Sequence, residues 1–456
     1  MARQLARIDE LAHRSEIALL GLLVALGIAL SFDLPVALAG LAIVIAAGVS
    51  MLNPSVTVAA VLAATPFIFL PVAIGSQSFT LLELMLLAGA AGTAGRAALA
   101  VLATRSLTPL FSLLPTRGVI VGGVMLVVLA LLSLTQLADP EHRDASVRAV
   151  RTVIVEPFLI IPALIWTLRR RRIELPLAAL AVTVTVCAVW GAGEIVTGAG
   201  VEADGVRRAT GPYPHPNNLA FFLERATLLA AIPALLSERY RKIGLAVLLI
   251  GVAGVLATLS RGALLGLPAG LVVALWLTGR FRAITGVVAG LMAAVGALAL
   301  FAGERLFDLG GDGGEPSRLV IWDGAYRILR DFPVTGIGPD QFYVMYGLRY
   351  IEPEGWPERY TSHPHNLFLD FWLSLGLVGL VFVIVALIWL GWRTLRLRMQ
   401  AGPAPLAVAG AAALTAGVVH GLVDNAFFLP DLALLTWVSI VLLVDAPRLS
   451  MTEHSA

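Results

Sequence analysis

Apolar runs about twenty residues long, parted by short arginine-bearing connections, repeat along nearly the whole chain and limit what it can fold into. A hydrocarbon layer about 30 Å thick takes about 20 apolar residues per helical crossing. On that length the runs fall at roughly 17–32, 35–52, 55–75, 79–103, 118–136, 152–168, 175–198, 217–236, 243–259, 262–279, 283–302, 365–392, 404–424 and 429–446. Lipid offers the backbone no hydrogen-bond partner, so the spans must be helices; barrel strands would be half this length.

The basic residues test that segmentation, because cytoplasmic connections collect Lys and Arg. Arg3, Arg7 and Arg14, Arg105 with Arg117, Arg169 to Arg172, Arg239 with Arg241 and Lys242, Arg280 with Arg282, Arg393 with Arg396 and Arg398, and Arg448 all fall on one side. That side is expected to be cytoplasmic and to hold both termini, leaving 137–151, 199–216, 259–262, 303–364 and 425–428 outside. Composition excludes the soluble alternatives: 58% of residues are hydrophobic and 14% charged, where a soluble domain carries roughly a quarter charged. A net charge of +2 with arginines in short clusters gives no reason to expect nucleic acid. The lone Cys187 has no intrachain partner, and no cleavable signal peptide is expected before the first run. The expected fold is an all-α, polytopic transmembrane bundle of about 12–14 spans with one large extracytoplasmic loop containing short helices. It is divided at 1–198, 199–302, 303–364 and 365–456.

The long excursion is too long for a bare connection. Gly310 to Gly314 reads as flexible, and Leu319, Trp322, Tyr326 and Leu329 recur at helical spacing between Ser317 and Asp331. Phe332-Pro333 ends that helix, and Gly336-Ile-Gly338-Pro339 turns into an aromatic stretch, Phe342 to Tyr350. Such apolar content should fold back as a cap over a cavity.

Chemistry can gather where this cap re-enters the bundle, at Thr361-Ser-His363-Pro-His365-Asn366. Pro364 bars helix before it and Asn366 can cap the helix after it, leaving His365 at the helix mouth as a general-base candidate. A second reading makes both histidines interfacial polar residues with no chemical role. A third makes them a chelate with Asp312, Asp340 or Glu354, although no spacing repeats a known metal site. The segment His215-Pro-Asn217 echoes the first, as if two helix starts converged on one pocket, or as two similar Pro- and Asn-bearing helix starts. Arg208, and Arg261 between Ser260 and Gly262, are outward arginines against the charge trend. Both are expected to have partners; Arg261 suits a phosphate or pyrophosphate, or snorkelling to headgroups. His420 and Asp424 share a helix face, as an orienting pair or a buried polar contact. Glu224 and Arg225 read as an internal pair or a cavity lining.

His365-Asn366, nine residues, Gly376, two residues and Gly379 resemble the signature of the bacterial O-antigen ligase and polymerase group of integral membrane glycosyltransferases. Arg208-Ala-Thr-Gly211, Ser260-Arg261-Gly262 and Arg318 to Trp322 with Pro333 to Gly338 extend the likeness over roughly 200–430. The resemblance implies a multi-span GT-C type enzyme of envelope polysaccharide biosynthesis. It would use an undecaprenyl-pyrophosphate glycan donor with no cofactor, metal or nucleotide sugar. It also implies His365 as base and Arg261 and Arg318, joined by Arg208, around the pyrophosphate. His363, Asn366, His215, Asn217, His420 and Asp424 are supporting candidates by their placement in the chain. The acceptor (lipid A core, a growing glycan or a protein) stays open, so lipopolysaccharide ligation and polymerisation are not separated. A transporter or flippase of lipid-linked glycans is the alternative from another class.

Overall fold

The computed structural model describes residues 10–32, 34–203, 206–283, 318–400 and 402–451, with isolated positions between 286 and 293. Its helices are α1 Glu16–Leu30, α2 Val36–Leu52, α3 Pro54–Ala64, α4 Leu81–Thr104, α5 Arg117–Ser133, α6 Pro140–Arg169, α7 Glu174–Thr197, α8 Pro216–Leu236, α9 Arg241–Thr258, α10 Arg261–Leu277, α11 Arg318–Asp331, α12 Phe342–Met345, α13 Leu367–Arg398, α14 Pro405–Gly421 and α15 Pro430–Met451. Among the described residues seven helices are long and apolar enough to cross a membrane, and six shorter apolar helices accompany them. The chain is an all-α, multi-pass membrane protein.

Four details differ from the sequence expectation. The run 55–75 stays helical only to Phe67; Pro66, Pro71 and Gly75 interrupt it, and Pro71–Ile74 (β1) pairs with Gln77–Thr80 (β2) as a hairpin. Residues 140–151 are not a loop but the first turns of α6. That helix passes through a π stretch at Val150–Val155 and a 3-10 stretch at Glu156–Ile160, where Pro157 and Pro162 remove two ladder donors. The connection after α7 forms a second hairpin, Val201–Ala203 (β3) with Val206–Arg208 (β4). Helix α14 stops at Gly421, short of Asp424. The expected span 283–302 lies mostly, and the segment Gly310–Gly314 wholly, outside the described residues.

In α8 and α15, 83% of the apolar window is buried, against 33% in α9 and α13, so the first two form the centre. Helix α10 packs on α14 through Gly262, Gly266 and Gly270. A Cβ on Gly266 would meet the Ala416 carbonyl, so the small-residue stripe sets the close approach.

The described part of the polar excursion, 318–364, folds onto the end of α13. Helix α11 buries Ile321, Ala325, Ile328 and Leu329 against Phe342, Met345, Tyr346, Leu369 and Leu373. The expected stripe is partly displaced: Leu319 and Tyr326 are 67% and 52% exposed, because Ile321, Ala325 and Ile328 supply the inward i, i+4, i+7 face. Helix α13 is broken at Gly376, where φ is 73° and ψ −174°. The Leu377 N–H and Leu373 carbonyl, partners in an intact helix, turn instead to the 333–338 connection. Leu377 N–H donates to the Val334 carbonyl at 2.9 Å, and Ile337 N–H to the Leu373 carbonyl at 2.7 Å. The motif glycine therefore opens a slot into which the excursion is latched. Only glycine holds that φ without strain, and a Cβ would strike the Val334 and Thr335 carbonyls.

Candidate functional site

The site is built where α8, α13 and α15 begin and α9 and α14 end. Pro364 keeps the chain out of the helix, and its carbonyl accepts from Trp322 Nε1 at 2.9 Å. Asn366 caps α13, its Oδ1 accepting from the Phe368 and Leu369 N–H groups at 3.0 and 3.1 Å. Its Nδ2 donates to the Leu422 carbonyl at 2.9 Å and draws the 422–429 segment alongside. Between them His365 adopts φ 51°, a left-handed backbone costing on the order of 1–3 kcal/mol for such a residue and typical of functional positions.

That backbone turns the imidazole toward Asp424, with Nδ1 2.8 Å from Oδ1. Among the described residues, the hydrogen-bond and ion-pair partners of this carboxylate are donors or cations. The Asn425 N–H gives a bond of 2.8 Å to Oδ1, Asn217 Nδ2 one of 2.7 Å to Oδ2, Arg318 Nη2 lies 3.7 Å away and His363 Nε2 3.5 Å away. Burial opposes ionisation of Asp424 most strongly of any single effect, but the hydrogen-bonded His365 together with His363 and His420 outweighs it. The carboxyl is held well below its usual range. An ionised Asp424 accepts from Nδ1–H, which leaves the Nε2 lone pair of His365 free to accept a proton. At 3.1 Å from Nε2 stands the Thr361 hydroxyl, an alcohol where a general base would receive one.

The second histidine segment joins the same pocket. His215 caps α8 by accepting from the Asn217 N–H at 3.2 Å, which frees the Asn217 side chain for Asp424. Asn217 Oδ1 takes a bond from Arg208 Nη2 at 2.8 Å, and Arg208 Nε donates to the Thr258 carbonyl at 2.8 Å. A single line thus runs Arg208, Asn217, Asp424, His365, Thr361. His363 is pushed down to about 3 by burial first and then by its neighbour His365. His215 is lowered to about 4 by desolvation of its ring and then by the Arg208 charge. Both are neutral near pH 7. His363, His365 and Asp424 present ligand atoms within 4.8 Å of one another and could hold a metal ion, but Arg318 beside the carboxylate works against a dication.

His420 belongs elsewhere. It is 1% exposed, stacked on Phe221 at 3.5 Å, with Nδ1 3.2 Å from Glu224 Oε2 and Nε2 3.4 Å from Ser260 Oγ. The expected His420–Asp424 helix face is therefore corrected: the helix ends between them and their side chains serve different clusters. Glu224 and Arg225 likewise part, as adjacent helix residues must. Arg225 donates to the Leu432 and Ala426 carbonyls at 3.2 and 2.7 Å and lines a cavity. Arg261 opens α10 next to Ser260 and is partly exposed.

Sequence reasoning passed over Thr361 and gave Asp424 a minor part, although Asp424-Asn425 after an Ala-rich apolar helix is a polar break that marks it. It also could not foresee a cavity of about 440 Å³ between α5, α13, α14 and α15, with Gly122, Leu126, Phe382 and Trp389 among its lining. Its end at Leu367, Phe371, Ala426 and Phe427 lies within a few residues of His365 and Asp424.

Residues 246–384 match the family model described as O-antigen ligase, the group whose signature His365 to Gly379 resembles. The match runs from within α9 through the break in α13 and supports a glycosyltransferase-like membrane enzyme handling a lipid-linked glycan. No curated protein matches the chain.

Proposed function

We propose that this chain, carrying the O-antigen ligase match, transfers a glycan from an undecaprenyl-pyrophosphate donor to an acceptor hydroxyl at the extracytoplasmic face of the bacterial inner membrane. Both termini would lie in the cytoplasm. The observation that carries the reading is the Asp424–His365–Thr361 line. An acceptor hydroxyl in the position of the Thr361 hydroxyl would give its proton to His365 Nε2. Asp424 keeps the imidazole in the useful tautomer and stabilises the cation that forms. The acceptor oxygen attacks the anomeric carbon, the bond from that carbon to the phosphate oxygen breaks, and polyprenyl pyrophosphate leaves with the electron pair. Arg208, Arg261 and Arg318 supply the positive charge that a departing pyrophosphate requires, so electrostatic stabilisation is the larger share of catalysis. The apolar cavity reaching toward the site suits the polyprenyl tail. The scheme uses no metal, and the arginines make a cation site there unfavourable.

A flippase would need ionisable groups along a hydrated path. Glu224 and His420 do sit inside the bundle, but at 0–1% exposure they are sealed by packing, and the cavity that Arg225 lines is walled mostly by apolar side chains. The test is His365→Ala in proteoliposomes with lipid-linked donor: normal insertion and melting, with transfer abolished. Full transfer by that variant removes the base assignment.

A further inference from the structure

The segment that leads into Thr361 carries a feature the transfer chemistry does not use. Trp356 and Tyr360 are 57% and 66% exposed, and Tyr343 of α12 is 39% exposed. They are not scattered. The Tyr343 and Tyr360 rings lie within 22° of parallel with centroids 6.4 Å apart. The Arg359 guanidinium is inserted among them, its Cζ 4.4 Å from the Tyr360 centroid and 5.0 Å from that of Trp356. One guanidinium N–H is tied to the Trp356 carbonyl at 3.0 Å, which pins the stack. The backbone underneath is seated closely. A Cβ on Gly347 would strike the Arg359 carbonyl, and one on Gly355 would come 2.6 Å from the hydroxyl of the buried Tyr346.

Three clustered, solvent-exposed aromatic rings mark an interaction site more than random exposure does. Two occupants suit such a ledge, a lipid headgroup layer or a carbohydrate. Glu352, Glu354 and Glu358 balance Arg349 and Arg359 on the same short segment, with Glu352 paired to Arg327, so the ledge has no cationic surplus to hold anionic headgroups. A pyranose ring fits better, because its C–H face lies on the electron-rich face of an aromatic ring. Its hydroxyls can meet guanidinium N–H and tyrosine O–H groups. The ledge also ends in the right place, since Tyr360 is followed by Thr361, whose hydroxyl is 3.1 Å from His365 Nε2.

We propose that Tyr343, Trp356, Arg359 and Tyr360 form a carbohydrate-binding ledge that seats the pyranose rings of a glycan so that one hydroxyl replaces that of Thr361 at His365. This inference rests on the glycosyl-transfer reading of that site. The rings could belong to the acceptor or to the glycan of the donor, and the experiment separates the two.

The chain is placed in lipid nanodiscs and probed by saturation-transfer NMR with glycan released by mild acid from native membranes. The wild type should transfer saturation to pyranose C–H protons, W356A and Y360A should lose most of it, and Y360F should retain it. Melting temperatures confirm folding of each variant. In steady-state transfer, Y360A should raise KM about tenfold, a change of about 1.4 kcal/mol in binding, and the loss should sit in KM rather than kcat. A raised KM for the acceptor assigns the ledge to the acceptor, and one for the lipid-linked donor assigns it to the donor glycan. Equal saturation transfer in wild type and the W356A/Y360A double variant overturns the proposal, as does a double variant whose only change is weaker adsorption to anionic vesicles. Ledge binding without any transfer by the wild type would count against the enzymatic reading instead, so the two failures are distinguishable.

Discussion

Replacing Asp424 by Asn keeps the shape of the central residue and removes its charge. The present partners of the carboxylate are all donors: Nδ1–H of His365, Nδ2 of Asn217 and the Asn425 N–H, with Arg318 nearby. An amide has only one oxygen to offer them, and its NH₂ must face another donor. Turning the Asn217 amide would not help, because its Oδ1 is held by Arg208. If the new NH₂ faces His365, the imidazole shifts its proton to Nε2 and the base is lost. If it faces Asn217, two donors oppose each other at a cost of about 1–3 kcal/mol. The charge-assisted bond to an imidazolium forming in the transition state contributes about 1.5–3 kcal/mol, so its loss alone lowers kcat by roughly 10- to 150-fold. Tautomer disorder adds to that. The assay is initial-rate transfer in proteoliposomes, paired with thermal melts. Since the folded carboxyl lies below its unfolded value, ionised Asp424 stabilises the fold above about pH 4 and loses that contribution on acidification. Melts of the Asn variant should be flatter there. A kcat within twofold of wild type across the pH range would refute the reasoning.

Gly376→Ala should destabilise the chain by at least about 2 kcal/mol, because a positive φ is strained for alanine and its methyl would enter the Val334 and Thr335 carbonyls. A lowered melting temperature and faster proteolysis near 333–338 would show it. His363 titrates near 3 in the fold and near 6.5 unfolded. Its contribution to stability is therefore complete above about pH 6.5 and is lost as pH falls toward 3, and His363→Gln should flatten melts across that window. Arg261→Ala should weaken binding of polyprenyl pyrophosphate by roughly tenfold or more, and Arg261→Lys by less; equal, undiminished binding by both removes Arg261 from the anion site.

The local chemistry of the pocket was readable from short stretches. Pro364 and Asn366 announce a capped helix start, Gly376 and Gly379 complete a spaced motif, and His215-Pro-Asn217 repeats the pattern; both stretches reach Asp424. What escaped was the pairing of distant residues. Nothing near His365 in the chain points to Asp424, 59 positions away, and helical periodicity assigned Asp424 to a face of α14, although the helix ends at Gly421. The hairpin β1–β2 was hidden for a related reason: its apolar residues extend a helical run without a change in hydropathy. The stripe expected of α11 is half right: Leu329 is buried and Trp322 packs against the core, but Leu319 and Tyr326 face out, and the small Gly324 and Ala325 are what admit Tyr346. The cavity depends on how four helices pack, which no single stretch encodes.

The most direct test of the account is to incubate the purified chain with an undecaprenyl-pyrophosphate glycan and candidate acceptors, and to identify every product by mass. The account predicts that the wild type releases undecaprenyl pyrophosphate together with a new glycan conjugate, a lengthened lipid-linked chain marking a polymerase and a conjugate with another acceptor marking a ligase. It predicts neither product with His365→Ala. Donor recovered intact by mass, but moved from one leaflet to the other, would contradict it and indicate a flippase.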